Sequence, residues 1–172
     1  MTYAIVYNSM TGNTAYLAYR INIILGNIDC IYNGPNSSKA LDADVIYVGF
    51  WTNMSICDDK TKEFLQTLTN QKIVLFGTAG FMSEDYEATI INNIKSILPE
   101  GVEVVGSFMC QGKMQDRVLQ RYLKAKEEGN PKADGWIKNF HEAKNHPDQK
   151  DLSRLGRVVA KANGIPCEDE RD

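Results

Sequence analysis

Residues 5–14 read Ile5-Val6-Tyr7-Asn8-Ser9-Met10-Thr11-Gly12-Asn13-Thr14, so an apolar run is followed at once by small and polar residues. The apolar run predicts a buried strand. Beyond it, apolar side chains recur with helical spacing at Leu17, Ile21, Ile24 and Leu25. A loop between a strand and a helix start lies where unpaired backbone N–H groups and the positive end of the helix dipole point. The stretch therefore predicts an anion-binding turn.

The composition of this loop limits the kind of anion. Ser9, Thr11, Asn13 and Thr14 offer hydroxyl and amide donors, and Gly12 carries no side chain that would block a close approach. The loop has no Lys or Arg, and it lacks both the Walker lysine and the three-glycine dinucleotide fingerprint. Neutral donors of this kind suit a single phosphate, such as that of flavin mononucleotide (FMN). The alternative is an ordinary N-capped helix start, which prefers the same residue types.

The spacing Ile5-Val6-Tyr7-x-Ser9-x-x-Gly12-x-Thr14-x-x-x-Ala18 resembles the phosphate-loop signature of the flavodoxin family. The resemblance covers residues 2–110 well and the last predicted helix loosely. It implies noncovalently bound FMN, with the phosphate at Ser9, Met10, Thr11, Gly12, Asn13 and Thr14. The extra helices and the segments Gly49-Phe50-Trp51 and Cys110-Gln111-Gly112-Lys113 also resemble flavodoxin relatives linked to bilirubin-reducing enzymes of gut anaerobes.

A second loop follows the third predicted strand. In an open parallel sheet, ligands bind at the carboxyl ends of strands near the point where strand order reverses. Trp51 in this position is expected to stack on the flavin ring, with Thr52, Asn53 and Met54 beside it. The alternative for Trp51 is the last inward residue of a buried strand. The segment resembles the flavin-ring loop of a bacterial flavodoxin-like subfamily that has an acidic residue and a Gly where this chain has Asn53 and Ser55.

A third loop, after the fourth predicted strand, contains Thr78, Ala79, Gly80 and Phe81. Its small residues would let backbone groups approach the edge of the flavin ring, and Phe81 would cover the other face of the ring. A helix cap with an ordinary turn glycine is the alternative. The position of the loop in the fold favours the binding role.

The order of the predicted elements indicates the fold class. Near-continuous apolar runs predict strands at 2–7, 45–51, 72–76 and 102–109, and a shorter run at 28–32 predicts an edge strand. Helical patterns lie at 14–25, 58–68, 83–97 and 148–162. This alternation predicts one α/β domain over residues 1–172, with a doubly wound five-stranded parallel sheet in the flavodoxin-like order 2-1-3-4-5. Residues 111–147 read as a helical insertion with extra helices at 114–127 and 134–144. The charged tail 167–172 is expected to fray.

Bulk composition excludes several classes of protein. No apolar run approaches the roughly 20 residues of a membrane-spanning helix, so we expect a cytoplasmic protein without a membrane partner. The cysteines 30, 57, 110 and 167 form no Cys-x-x-Cys pair, which favours reduced thiols over a zinc site. Cys57 and Cys110 are expected to be small buried hydrophobes rather than nucleophiles. His141 and His146 have no spacing typical of a metal site or a general base.

Charge is distributed unevenly. The chain carries a net charge of −3, yet Lys113, Arg117, Arg121, Lys124 and Lys126 meet only Asp116 before Glu127. A solvated helix face is the simpler interpretation. The alternative is a landing site for an acidic redox partner protein, a pyridine nucleotide phosphate or substrate carboxylates. Nucleic acid is disfavoured because the patch is short and the protein is acidic.

The sequence thus predicts an FMN-binding electron-transfer flavoprotein that shuttles electrons between redox partners. One alternative is an NAD(P)H-dependent flavin or quinone reductase, although the phosphate loop lacks the Gly-Ser-x-Arg pattern that such reductases usually show. Another is a binding module that has lost the flavin, which the complete phosphate loop disfavours.

Overall fold

The computed structural model of this chain describes residues 1–165, so the predicted tail 167–172 lies outside the described residues. The elements alternate between strands and helices along the chain. In order they are β1 (Tyr3–Tyr7), α1 (Asn13–Leu25), β2 (Cys30–Gly34), a short 3-10 helix (Ser38–Ala40), β3 (Val45–Asn53), β4 (Ile56–Cys57), α2 (Asp59–Leu65), β5 (Lys72–Ala79), α3 (Glu84–Lys95), β6 (Glu103–Gln111), α4 (Asp116–Glu127), α5 (Ala133–Ala143) and α6 (Gln149–Ala162).

The five long strands form one parallel sheet in the order β2-β1-β3-β5-β6. This is the predicted order 2-1-3-4-5, and the fold prediction is confirmed. Strand β2 lies at one edge, as its short pattern predicts. The register pairs Tyr7 with Gly49 and Trp51 with Thr78, so the carboxyl ends of β1, β3 and β5 lie side by side. The loops that follow these strands are thereby brought to one edge of the sheet.

The segment 50–57 differs from the predicted loop. Strand β3 continues to Asn53, and the chain turns at Met54 and Ser55 into the two-residue strand β4, which pairs antiparallel with β3. Both turn residues have positive φ, 50° for Met54 and 64° for Ser55, as the favoured two-residue hairpin turns require. A strand of two residues is too short to show a periodicity, so the sequence pattern does not reveal it.

Each face of the sheet carries its own hydrophobic core. Helices α1 and α6 cover one face, where Leu17 and Leu155 pack with Tyr47 and other inward side chains. Helices α2 and α3 cover the other face, where Phe64 and Ile90 belong to the second cluster. Both faces of the central strands are therefore buried, which explains their continuous apolar runs.

The predicted extra helices are present as α4 and α5, between β6 and α6. Helix α4 has no buried residue, and its Tyr122 ring lies 5.5 Å from the Trp136 ring of α5. Helix α5 is anchored more deeply, because its Phe140 is fully buried. Across residues 1–165, no helix combines the length and apolar character needed to cross a bilayer.

Candidate functional site

A cavity of about 590 Å³ opens at the carboxyl ends of the strands, within the range of about 300–1,000 Å³ typical of small-molecule pockets. The three predicted loops meet in it. The predicted site residues that line it are Met10, Thr11, Asn13, Trp51, Thr52, Asn53, Met54, Thr78, Ala79, Gly80 and Phe81. The insertion supplies a further wall, made of Gly112, Lys113, Met114, Gln115, Arg117, Val118, Arg121, Tyr122 and Asn139. Of these residues, the sequence pattern indicates only Lys113, Arg117 and Arg121 as candidates for contact with an anionic group.

Ser9 and Gly12 of the predicted phosphate loop line a second cavity of about 890 Å³ instead. Ser9 Oγ accepts a hydrogen bond from the Ala15 N–H at 3.2 Å. Gly12 precedes α1 with a φ of 88°, a conformation that favours glycine, and it caps the helix without a side-chain hydrogen bond. Within residues 1–165, the N–H groups of Asn13 and Thr14 have no hydrogen-bond acceptor. The start of α1 thus keeps two backbone N–H donors that can bind an anion.

Thr14 is buried, and in the described part of the chain it lines neither cavity. Its hydroxyl donates to the Phe50 carbonyl oxygen at 3.1 Å. Its Oγ1 also lies 3.3 Å from the Thr78 hydroxyl, which acts as the donor in that contact because the Thr14 proton is already engaged. Thr14 therefore joins the start of α1 to strands β3 and β5 near their carboxyl ends.

Asn13 connects the phosphate loop to the insertion. Its side-chain amide donates to Thr11 Oγ1 at 2.7 Å and to the Lys113 carbonyl oxygen at 2.9 Å. The backbone of Gly112 approaches so closely that a Cβ there would lie 2.4 Å from Asn13 Nδ2. The segment after β6 is therefore held against the phosphate loop.

The third predicted loop is fixed through the carbonyl oxygen of Gly80. This oxygen accepts hydrogen bonds from Gln111 Nε2 at 3.0 Å and from Asn139 Nδ2 at 2.9 Å. The two donor side chains also bond to each other, with Gln111 Nε2 donating to Asn139 Oδ1 at 2.9 Å. Helix α5 thereby positions a loop that is far from it in sequence.

Aromatic and apolar side chains line the open part of the cavity. Trp51 is half-buried at the end of β3, whereas Phe81 and Met54 are 55% and 91% exposed. The hairpin that carries Met54 is tied to α3, because Asn93 Nδ2 donates to the Ser55 carbonyl oxygen at 2.8 Å. Trp51 thus reaches the cavity from strand β3, and Phe81 reaches it from the loop after β5.

The donor set of this cavity fits a flavin. The N–H groups at the start of α1 and the Thr11 hydroxyl suit a phosphate, while the aromatic side chains suit a planar ring. Thr52 Oγ1 is buried at the cavity wall and has no hydrogen-bond partner among residues 1–165. A polar atom in that position is expected to bond to a ligand or to water.

The cations of the basic helix divide into two groups. Lys124 pairs with Glu128 at 3.9 Å, and Lys126 pairs with Asp134 at 2.8 Å. Lys113, Arg117 and Arg121 line the cavity, and none of the three has a carboxylate within 4.0 Å in the described part of the chain. The positive charge left unbalanced on this segment therefore faces the cavity.

The two cysteines considered as nucleophiles are buried. Burial raises the pKa of the Cys57 thiol to about 12, and it raises the pKa of the Cys110 thiol as well. A thiol that stays protonated at neutral pH is a poor nucleophile. This favours their interpretation as small buried hydrophobes.

The structure also brings together three titratable side chains whose spacing in the sequence does not indicate a cluster. His146 Nδ1 lies 2.6 Å from Asp151 Oδ2, close to Asp148 at the start of α6. Asp148 and Asp151 form a capping box, in which each side chain accepts a hydrogen bond from the other residue's backbone N–H. Capping of α6 accounts for this arrangement.

Comparison with known proteins agrees with the fold. The family model for the flavodoxin domain matches residues 4–160. The flavodoxin-like domain-containing protein BilS of Clostridium symbiosum is 37% identical to this chain, over 89% of this chain and 91% of that protein.

Solved structures show the same fold at low sequence identity. A Streptococcus pneumoniae TIGR4 flavodoxin has a TM-score of 0.60 at 16% identity, over 96% of this chain and 100% of that one. An NADH:FMN oxidoreductase in its apo form has a TM-score of 0.58 at 16% identity, over 98% of this chain and 91% of that one. The resemblance seen in the phosphate loop is thereby confirmed, and the chain belongs to the flavodoxin family of flavin-binding redox proteins.

Proposed function

We propose that the protein binds FMN and carries electrons between redox partners. The observation that carries this proposal is the meeting of three loops in one cavity, with free N–H groups at the start of α1 and aromatic side chains at the opening. FMN, when bound, supplies the one- and two-electron redox chemistry. The role of the protein is to hold, orient and partly shield it.

The phosphate is assigned to the start of α1. The N–H groups of Asn13 and Thr14 point out of the first turn, where the helix dipole favours an anion. Thr11 Oγ1 accepts from the Asn13 amide, so its own O–H is left to donate. These neutral donors fix the position and orientation of the bound phosphate.

The ring is assigned to the space between Trp51 and Phe81. Both side chains line the cavity, and each is supported by a different strand of the sheet. The unpartnered Thr52 hydroxyl offers a hydrogen bond near the same wall. Stacking and one or two polar contacts would orient the ring without a covalent bond.

The proposal is tested by identifying the flavin that copurifies with the protein. We expect the purified protein to be yellow and to release FMN, rather than FAD, on denaturation, as identified by chromatography. FMN is expected because the described loop offers donors for one phosphate. A colourless protein that also fails to take up added FMN would overturn the proposal.

We further propose that the redox partner is acidic and approaches the segment from Lys113 to Lys126. Arg121 supports this because it is exposed at the cavity opening and has no carboxylate partner among the described residues. Arg121→Glu should slow electron delivery to the partner and reduce its salt dependence, since screening acts on exposed charges within about 10 Å at 0.1 M salt. Lys138→Glu on α5, whose lysine already pairs with Glu142, is the matched control in stopped-flow measurements. Equal salt slopes for wild type and Arg121→Glu would exclude this docking face.

The second candidate function is an NAD(P)H-dependent reductase that acts on a small molecule. The unpaired cations that line the cavity favour it, because a nucleotide phosphate is a suitable counter-charge. Anaerobic addition of NADH and NADPH to the FMN-loaded protein separates the two functions. Rapid bleaching of the flavin absorbance by either nucleotide would favour the reductase over the carrier.

A further inference from the structure

We propose that Lys113 and Arg117, from the insertion after β6, bind the phosphate of FMN and supply the positive charge that the phosphate loop lacks. This inference rests on the proposed FMN-binding function. It assigns cofactor recognition to a segment about 100 residues away from the loop in sequence.

Lys113 and Arg117 both lie beside the phosphate loop. Arg117 Nη2 lies 3.8 Å from Met10 Sδ, so the guanidinium reaches the phosphate loop itself. The Lys113 backbone is bonded to Asn13 at 2.9 Å, which fixes the start of its side chain beside the same loop. Both side chains line the cavity that Met10, Thr11 and Asn13 also line. Arg121 lies one helical turn further on, roughly 6 Å along the axis.

The phosphate of FMN and the side chains of Lys113 and Arg117 carry opposite charges. A phosphate monoester carries about 1.5 to 2 negative charges at neutral pH. The phosphate loop provides hydrogen bonds but no cation, whereas Lys113 and Arg117 are cations without a carboxylate partner in the described residues. The neighbouring Lys124 and Lys126, which do not line the cavity, have such partners. The cations left unbalanced are thus the ones beside the anion site.

The guanidinium of Arg117 and the ammonium of Lys113 are both suited to binding phosphate. A guanidinium binds phosphate oxygens through two parallel N–H bonds, and an ammonium acts as a compact point charge. Together with the two free N–H groups of α1, they would surround the phosphate from both sides. The expected result is a preference for FMN over riboflavin that depends on Lys113 and Arg117.

The experiment compares flavin binding by variants of the full chain. Apoprotein is titrated with FMN and with riboflavin, which has no phosphate, and flavin fluorescence quenching is followed. Arg117→Gln and Lys113→Gln should each weaken FMN binding by about tenfold, the lower end for a hydrogen bond to a charged group, and should leave riboflavin binding unchanged. Arg117→Lys should restore part of the loss. Lys124→Gln, which removes the same charge from the same helix away from the cavity, should bind FMN like wild type.

Salt dependence gives a second readout that needs no variant. Raising the salt concentration should weaken wild-type binding of FMN more than that of riboflavin, because the proposed contacts are exposed before binding. Unchanged FMN affinity in both Gln variants would overturn the inference, and so would an equal loss for FMN and riboflavin. If wild type binds neither flavin, the proposed function itself fails.

Discussion

Replacing Thr14 by Val tests whether this residue organises the loops or contacts the cofactor directly. The Thr14 hydroxyl donates to the Phe50 carbonyl oxygen at 3.1 Å and lies 3.3 Å from the Thr78 hydroxyl, in a fully buried position. Valine keeps the shape but removes the donor. The Phe50 carbonyl oxygen then loses its bond to this hydroxyl.

The expected cost follows from this loss. Phe50 also pairs with β5 in the sheet, so the expected cost is that of one hydrogen bond, about 0.5–1.5 kcal/mol. For a domain of this size each kcal/mol lowers the melting temperature by about 2–4 °C, so Thr14→Val should melt about 1–6 °C below wild type. Binding of FMN and riboflavin should fall together, because the ends of β3 and β5 lose their common anchor. Thr14→Ser keeps the hydroxyl and is the control for the loss of the methyl group.

The assay is thermal unfolding of the flavin-free protein by circular dichroism, followed by titration with both flavins. The reasoning would be refuted if Thr14→Val melted like wild type and lost affinity for FMN alone. That outcome would assign the Thr14 hydroxyl to the phosphate, as the sequence pattern predicts.

Three further outcomes are expected. Trp51→Ala should weaken FMN and riboflavin binding alike, by roughly 1–3 kcal/mol by analogy with base stacking on aromatic side chains, and unchanged riboflavin binding would exclude the stacking role. Asp148→Ala should destabilise the protein by about 0.5–2 kcal/mol through loss of the α6 cap, as measured by urea unfolding. The backbone N–H of Asp151 holds the pKa of Asp148 below its usual value, so this carboxylate stabilises the fold at any pH above the pKa of the unfolded chain, and the difference from Asp148→Ala should shrink as the pH falls through the lowered pKa. Cys57 and Cys110, whose pKa values are raised by burial, should resist a thiol reagent at pH 8 until the protein unfolds, as peptide mapping by mass spectrometry would show.

The fold could be predicted from the sequence because local and global signals agree. The apolar runs of β1, β3 and β5 are continuous, since both faces of these strands are buried, and α1 between β1 and β2 has apolar residues at helical spacing. The strand order then brings the carboxyl ends together. Most of the residues expected in the three loops line the cavity for this reason.

The insertion limited what could be predicted of the site. The spacing of Arg117, Arg121 and Lys124 predicts a shared helix face, but the direction of that face depends on how α4 packs against α5. Asn139 enters the site only because α5 folds back to the Gly80 carbonyl, a contact across 59 residues. The hydrogen bond from Thr14 to Phe50 likewise depends on tertiary structure, whereas the residue types alone suit a phosphate equally well.

Helix α4 forms a cavity wall without contributing a side chain to either hydrophobic core. Helices held mainly by one neighbour open locally at a small cost in free energy, so amide hydrogen exchange should be much faster in α4 than in the buried strand β3. The three walls of the cavity that strand ends form would then be rigid, whereas the wall formed by α4 would open independently of them. Dissociation of a bound ligand should follow the opening rate of α4, independently of global unfolding.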